Sequence, residues 1–121
     1  MNFSLCSIPT KSEPTMLMLP TRQGIERINI DSIVRIEASS NYSKLIFTNG
    51  KAIVTAKVLH WFEKQDGMDS FLRTHRTHLV NKVFISSYID GSGGQICLQN
   101  GELIDVSKRK KRVFLHNWRT A

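Results

Sequence analysis

From about Met16 onward the chain is dominated by short runs in which apolar and polar residues alternate with period two. In Ile33-Val34-Arg35-Ile36-Glu37-Ala38 the alternation places Val34, Ile36 and Ala38 on one face of a strand and Arg35 and Glu37 on the other. Asn49-Gly50 separates Leu45–Thr48 from Ala52–Thr55, and Asn100-Gly101 separates Ile96–Leu98 from Leu103–Val106. Each dipeptide predicts a tight hairpin of type I′, because that turn needs positive φ at both central residues, which Asn and Gly accept most readily. Gly91-Ser92-Gly93-Gly94 predicts a looser connection after a strand from Val83 to Ile89.

Two segments depart from alternation. Lys57 to Gln65 carries Val58, Leu59, Trp61 and Phe62 at helical spacing and stops before Asp66-Gly67, where glycine can end a helix in the left-handed conformation. Ser107 is placed to cap a second helix from Lys108 to about Trp118, with Val113, Phe114 and Trp118 on one side. The aromatics Trp61, Phe62, Phe71, Phe84, Phe114 and Trp118 are read as core. Residues 1–15 mix Ser, Thr, Pro and isolated charges without periodicity and are expected to form a flexible polar arm, leaving 16–121 as one domain.

Length agrees with that division, since 121 residues suffice for one core and not for two domains. Seventeen Lys and Arg against ten Asp and Glu give a net charge of +7, and the surplus is local, with five consecutive cations from Lys108 to Arg112. Cations at a helix N-terminus oppose the dipole there, so an anionic partner is the natural explanation for them. Cys6 and Cys97 are too few and too far apart for a disulfide framework, no run approaches the length of a membrane-spanning helix, and the first residues lack a secretory leader, so the cytoplasm is the expected compartment.

The candidate chemistry lies in polar clusters. Phe71-Leu72-Arg73-Thr74-His75-Arg76-Thr77-His78-Leu79-Val80-Asn81 couples Arg76 to neighbouring hydroxyls of Thr74 and Thr77, and Val106-Ser107-Lys108-Arg109 begins the basic run. Arg76 and Arg109 can present directed donors to base edges, whereas Lys108, Lys110, Lys111 and Arg112 suit phosphates. Ser39 to Lys44 is an exposed polar loop between strands. His75 and His78 stand three apart, which in one strand points them to opposite faces, so no metal site is expected. No nucleophile elbow, paired-carboxylate motif, phosphate-binding loop or dinucleotide fingerprint occurs, so the chain reads as a non-enzyme without cofactor or small-molecule substrate. Docking of an acidic protein partner and sequence-blind RNA binding are the rival readings of the basic patch.

The order of these blocks, above all His-Arg-x-x-Leu-Val-Asn at 75–81 and Val-Ser-Lys-Arg at 106–109, resembles the LytTR DNA-binding domain family from about Met16 to the end. The resemblance implies a mostly β fold in which small antiparallel sheets stack into an elongated body with one or two short helices. It also implies sequence-specific reading of double-stranded DNA by loops in successive major grooves, in a bacterial transcription regulator. Carried over residue by residue, the reading loops fall at Asn41, Ser43 and Lys44, at His75, Arg76 and Thr77, and at Ser107, Lys108 and Arg109, with Leu79, Val80, Ile85 and Val106 in the core. Two protomers on repeated half-sites would be typical of the family. Its members usually follow a phosphorylation-controlled receiver domain; here a short polar arm precedes the first strand, so control is expected from elsewhere.

Overall fold

The structure, a computed structural model, describes residues 16–91 and 93–119; the expected arm at 1–15 lies outside them. Among the described residues three antiparallel sheets stack on one another. A two-stranded sheet pairs β1 (Met16–Thr21) with β2 (Gly24–Asn29). A five-stranded central sheet contains β3 (Ile33–Ser39), β4 (Tyr42–Phe47), β5 (Ala52–Thr55), β6 (Phe71–His75) and β7 (His78–Asn81) in the spatial order β5-β4-β3-β7-β6. A three-stranded sheet orders β10 (Leu103–Asp105), β9 (Gln95–Leu98) and β8 (Ile85–Ile89). Helix α1 (Leu59–Glu63) links β5 to β6, and α2 (Lys108–Arg119) follows β10 and packs on β6.

The central sheet is covered on both faces, which explains its unbroken apolar pairs. Ile36, Leu45, Phe71 and Leu79 join the β1–β2 hairpin and α1 residues Leu59 and Phe62 in one core. Val34, Leu72 and Val80 join the third sheet and Phe114 of α2 in a second. Consecutive residues of a strand point to opposite faces, so Phe71-Leu72 and Leu79-Val80 each supply one side chain to each core.

One device moves the chain between layers twice. Asn29 Oδ1 accepts the Asp31 N–H at 3.1 Å and Asn81 Oδ1 accepts the Val83 N–H at 3.3 Å. Each asparagine thereby caps a single 3₁₀ turn, Ile30–Ser32 or Lys82–Phe84, that delivers the chain into the next sheet at a buried isoleucine, Ile33 or Ile85. Asn81 is itself buried and also donates from Nδ2 to the Ile33 carbonyl at 3.0 Å, tying the two crossings together.

Several expectations are corrected. A bulge between Ile33 and Arg35 breaks the alternation of β3, so Val34 faces the second core while Ile36 and Ala38 face the first. Both Asn-Gly dipeptides do form hairpins, but neither turn is type I′: Gly50 and Gly101 have φ of 86° and 93°, whereas Asn49 and Asn100 are not among the residues with positive φ. The turns close one residue earlier, with Gly50 N–H donating to Phe47 O and Gly101 N–H to Leu98 O. The asparagines act through their side chains, accepting the N–H of Lys51 and Glu102, and the glycine forms the bulge that ends each loop. Lys82–Phe84 is the 3₁₀ turn, so β8 begins at Ile85 and Val83 is exposed. Helix α1 is shorter than expected, with Val58 outside it as the exposed N-cap. In α2, Phe114 is buried and Trp118 packs beside it, but Val113 is exposed. Among the other aromatics Phe62 and Phe71 are buried, while Trp61 and Phe84 pack partly covered at the core margins.

Arg35 fastens the third sheet to the central one. Its Nε and Nη2 donate to the two carboxylate oxygens of Glu102 at 3.1 and 3.2 Å, and its Nη1 donates to Glu37 at 2.8 Å. Burial alone would lower the guanidinium pKa, but the hydrogen bonds to Glu102 and Glu37 outweigh it and raise the value; the same fork holds the Glu102 carboxyl below its ordinary range.

Candidate nucleic-acid interface

Two of the expected reading loops are turns at one end of the central sheet, and the third, Ser107–Arg109, is the start of helix α2 beside them. Ser39 pairs with Tyr42, so β3 and β4 are joined by Ser40-Asn41 alone, with Ser40 at a φ of 54°. His75 pairs with His78, so Arg76-Thr77 forms the β6–β7 turn. Ser107 opens α2 as its cap, its Oγ accepting the Lys110 N–H at 3.2 Å. Two backbone hydrogen bonds join the turns: Ala38 N–H donates to Thr77 O at 2.8 Å, and Ser107 N–H donates to Thr74 O at 2.8 Å. Segments far apart in sequence are thus held side by side.

Arg73, which the sequence did not single out, braces the middle turn. Its Nε donates to the His75 carbonyl at 3.1 Å, its Nη2 to the Arg76 carbonyl at 3.0 Å, and its Nη1 to Glu63 of α1 at 2.8 Å. With its donors turned inward, the side chain of Arg76 is left exposed. Arg73, Arg109 and Lys110 line one cleft of about 380 Å³ between β6 and α2, which places Arg109 on the same side of the molecule as the Arg76 turn. The sequence signal that marks it is that Arg73 is the one Lys or Arg within Phe71–His75, three residues before Arg76.

The site residues fall into three kinds. Asn41, Lys44, Arg76, Lys108, Arg109 and Arg112 are exposed. His75, Thr77, Ser107, Lys110 and Lys111 are partly covered, several of them by internal bonds. Thr77 N–H donates to His75 Nδ1 at 3.2 Å, so a neutral His75 carries its proton on Nε2, and the Thr77 hydroxyl lies 3.0 Å from the same nitrogen. Lys111 Nζ lies 3.2 Å from Asp90 Oδ1, which raises its pKa, so the basic run is partly answered by an acid from the β8–β9 connection.

Ser43 is corrected. It sits in strand β4 and is fully buried against the first core, because alternation turns its neighbours Tyr42 and Lys44 outward instead. The polar loop expected over 39–44 shrinks to its two-residue turn. Thr74 is likewise fully buried, so its hydroxyl does not support Arg76 from the surface.

His75 and His78 also differ from expectation. They do not lie on opposite faces of one strand but face each other across the hairpin, with ring centroids 5.6 Å apart. Among the described residues no group of three or more His, Cys, Asp or Glu is placed to hold a metal ion. Burial lowers the His78 pKa, with Glu37 raising it in partial opposition. No helix among the described residues is long and apolar enough to cross a membrane.

None of the curated proteins is significantly similar in sequence. The LytTr DNA-binding domain of a response regulator from Bacillus cereus has the same fold, with a TM-score of 0.73 and 24% identity over 86% of this chain and 96% of that one. The model of the LytTr DNA-binding domain matches residues 23–119, a stretch containing the Ser40-Asn41 and Arg76-Thr77 turns and the basic helix. By that match, the chain belongs to the LytTr DNA-binding domain family.

Proposed function

We propose that this DNA-binding domain reads a specific double-stranded sequence as a bacterial transcription regulator, with its turns entering successive major grooves. The observation that carries this reading is the pair of backbone hydrogen bonds, Ala38 to Thr77 and Ser107 to Thr74, which sets the Ser40-Asn41 turn, the Arg76-Thr77 turn and the start of α2 at Ser107–Arg109 side by side at one end of the sheet stack. Arg76 and Arg109 read base edges in this scheme. A guanidinium can donate to O6 and N7 of guanine together, worth about 1–3 kcal/mol of discrimination. Asn41, Lys44 and the proton on His75 Nε2 supply further donors, while Lys108, Lys110, Lys111 and Arg112 neutralise phosphate. Two copies occupy repeated half-sites.

Selection from a random duplex library tests the reading. A recovered repeated motif, bound in the presence of excess random DNA, is the expected result. Equal affinity for selected and random duplexes would sink it and favour a charge-only patch for an acidic protein or RNA.

A further inference from the structure

The geometry points to a fourth duplex contact on the β1–β2 turn, where Arg22, with Lys57 beside it, grips backbone phosphate flanking the site read by the other turns. This inference rests on the proposed reading of duplex DNA and extends its footprint.

The row of turns does not stop at Asn41. Thr55, the last residue of β5, pairs with Ser43 and donates its hydroxyl to the Pro20 carbonyl at 3.2 Å. That bond brings the β1–β2 turn to the same end of the molecule as Ser40-Asn41. Between them lies a groove of about 570 Å³, lined by Pro20, Arg22, Tyr42, Val54 and Lys57 among others, and no carboxylate lines it. Tyr42 and Val54 are more than half exposed. Arg22 is exposed and, among the described residues, takes part in no ion pair. Lys57 holds its Nζ 5.2 Å from the centroid of the Trp61 ring, a contact that orients the ammonium without neutralising it.

The position sets the ligand. The two-stranded sheet covers the face of the central sheet opposite to the second core and α2, so Arg22 and Arg109 belong to the two outer layers, with the Ser40-Asn41 and Arg76-Thr77 turns between them. Stacked sheets lie about 10 Å apart, so a duplex running along the row continues past the central turns to the outer one. Duplex DNA offers a phosphate charge about every 1.7 Å of its axis, and two cations beside an open groove suit that repeating charge in any sequence. Arg22 and Lys57 therefore add affinity and salt dependence without adding base preference.

The test measures affinity against salt by fluorescence anisotropy on two duplexes carrying the selected site, one extended and one trimmed of flanking base pairs on the Arg22 side. For the double variant Arg22→Gln/Lys57→Gln on the extended duplex, the slope of log K against log salt should be shallower by about 2 than for the unaltered protein. On the trimmed duplex the two proteins should coincide. Equal slopes on the extended duplex would overturn the proposal, including the case in which the groove serves a protein partner. A loss persisting on the trimmed duplex would overturn it too, by placing both cations inside the read site. Arg109→Ala, measured against selected and random duplex, separates this from failure of the underlying reading, since an unchanged preference in that variant would indict the reading itself.

Discussion

The guanidinium of Arg73 donates to the Arg76 carbonyl at 3.0 Å while its other terminal nitrogen lies 2.8 Å from Glu63 of α1. One arginine is therefore consumed inside the protein so that another can be presented outside it. The planar fork with its spread donors makes this bridging possible, and a lysine ammonium has no equivalent geometry.

Arg73→Gln is expected to weaken binding to the selected duplex by about tenfold or more, the scale of a lost hydrogen bond to a charged donor, and to change random-duplex binding less. Arg73→Lys, which restores charge without the fork, should recover little of the preference. Parallel anisotropy titrations on both duplexes check this; equal losses on each would reduce Arg73 to a phosphate contact.

Arg109→Ala should cost about 1–3 kcal/mol at one base pair and flatten the preference there. Lys108→Ala should weaken all duplexes alike and reduce the salt slope by about 1. Lys111→Ala should alter that slope less than Lys108→Ala does, because Lys111 already faces Asp90. Salt titrations of the three variants on selected and mutated duplexes decide the division of roles.

Acid should destabilise the fold through His78. Burial lowers its folded pKa below the ordinary 6.5, so beneath that value the unfolded chain binds a proton that the native state resists. Its contribution is complete above the unfolded pKa and is lost as pH falls towards the folded one. The urea midpoint should drop as pH falls below about 6.5, and His78→Gln should make that drop smaller.

Phe62→Ala and Phe114→Ala each empty a fully buried position, one in each core. Each should cost about 3–5 kcal/mol, a large share of the stability of a domain this size. Calorimetric melting measures both; a small cost for Phe114 would show that α2 is only loosely docked.

Much of this was legible in the residues because the relevant signals are local. Alternation marked the strands, Asn-Gly marked both hairpins, and Ser107 marked the cap of α2. Arg76 and Arg109, read from the sequence as directed donors beside small polar residues, are both exposed, one in a turn and one at the start of α2. The failures have non-local causes. The Val34 bulge depends on the pairing partner Phe47, and the burial of Ser43 and Thr74 depends on what covers the sheet. The direct pairing of His75 with His78 required knowing that Arg76-Thr77 turns the chain. Arg73, Lys57 and Arg22 gain their significance from partners 10 residues away or more, or from a groove formed by separate strands.

The Arg35 fork reaches from one layer to the next and closes on both oxygens of Glu102. Peeling the outer sheet away would part Arg35 from both oxygens of Glu102 and open the second core to water, a penalty that discourages partial opening. The body should consequently melt as a single cooperative unit, and a cell that loses some of this protein to heat would lose whole molecules rather than accumulate half-opened ones.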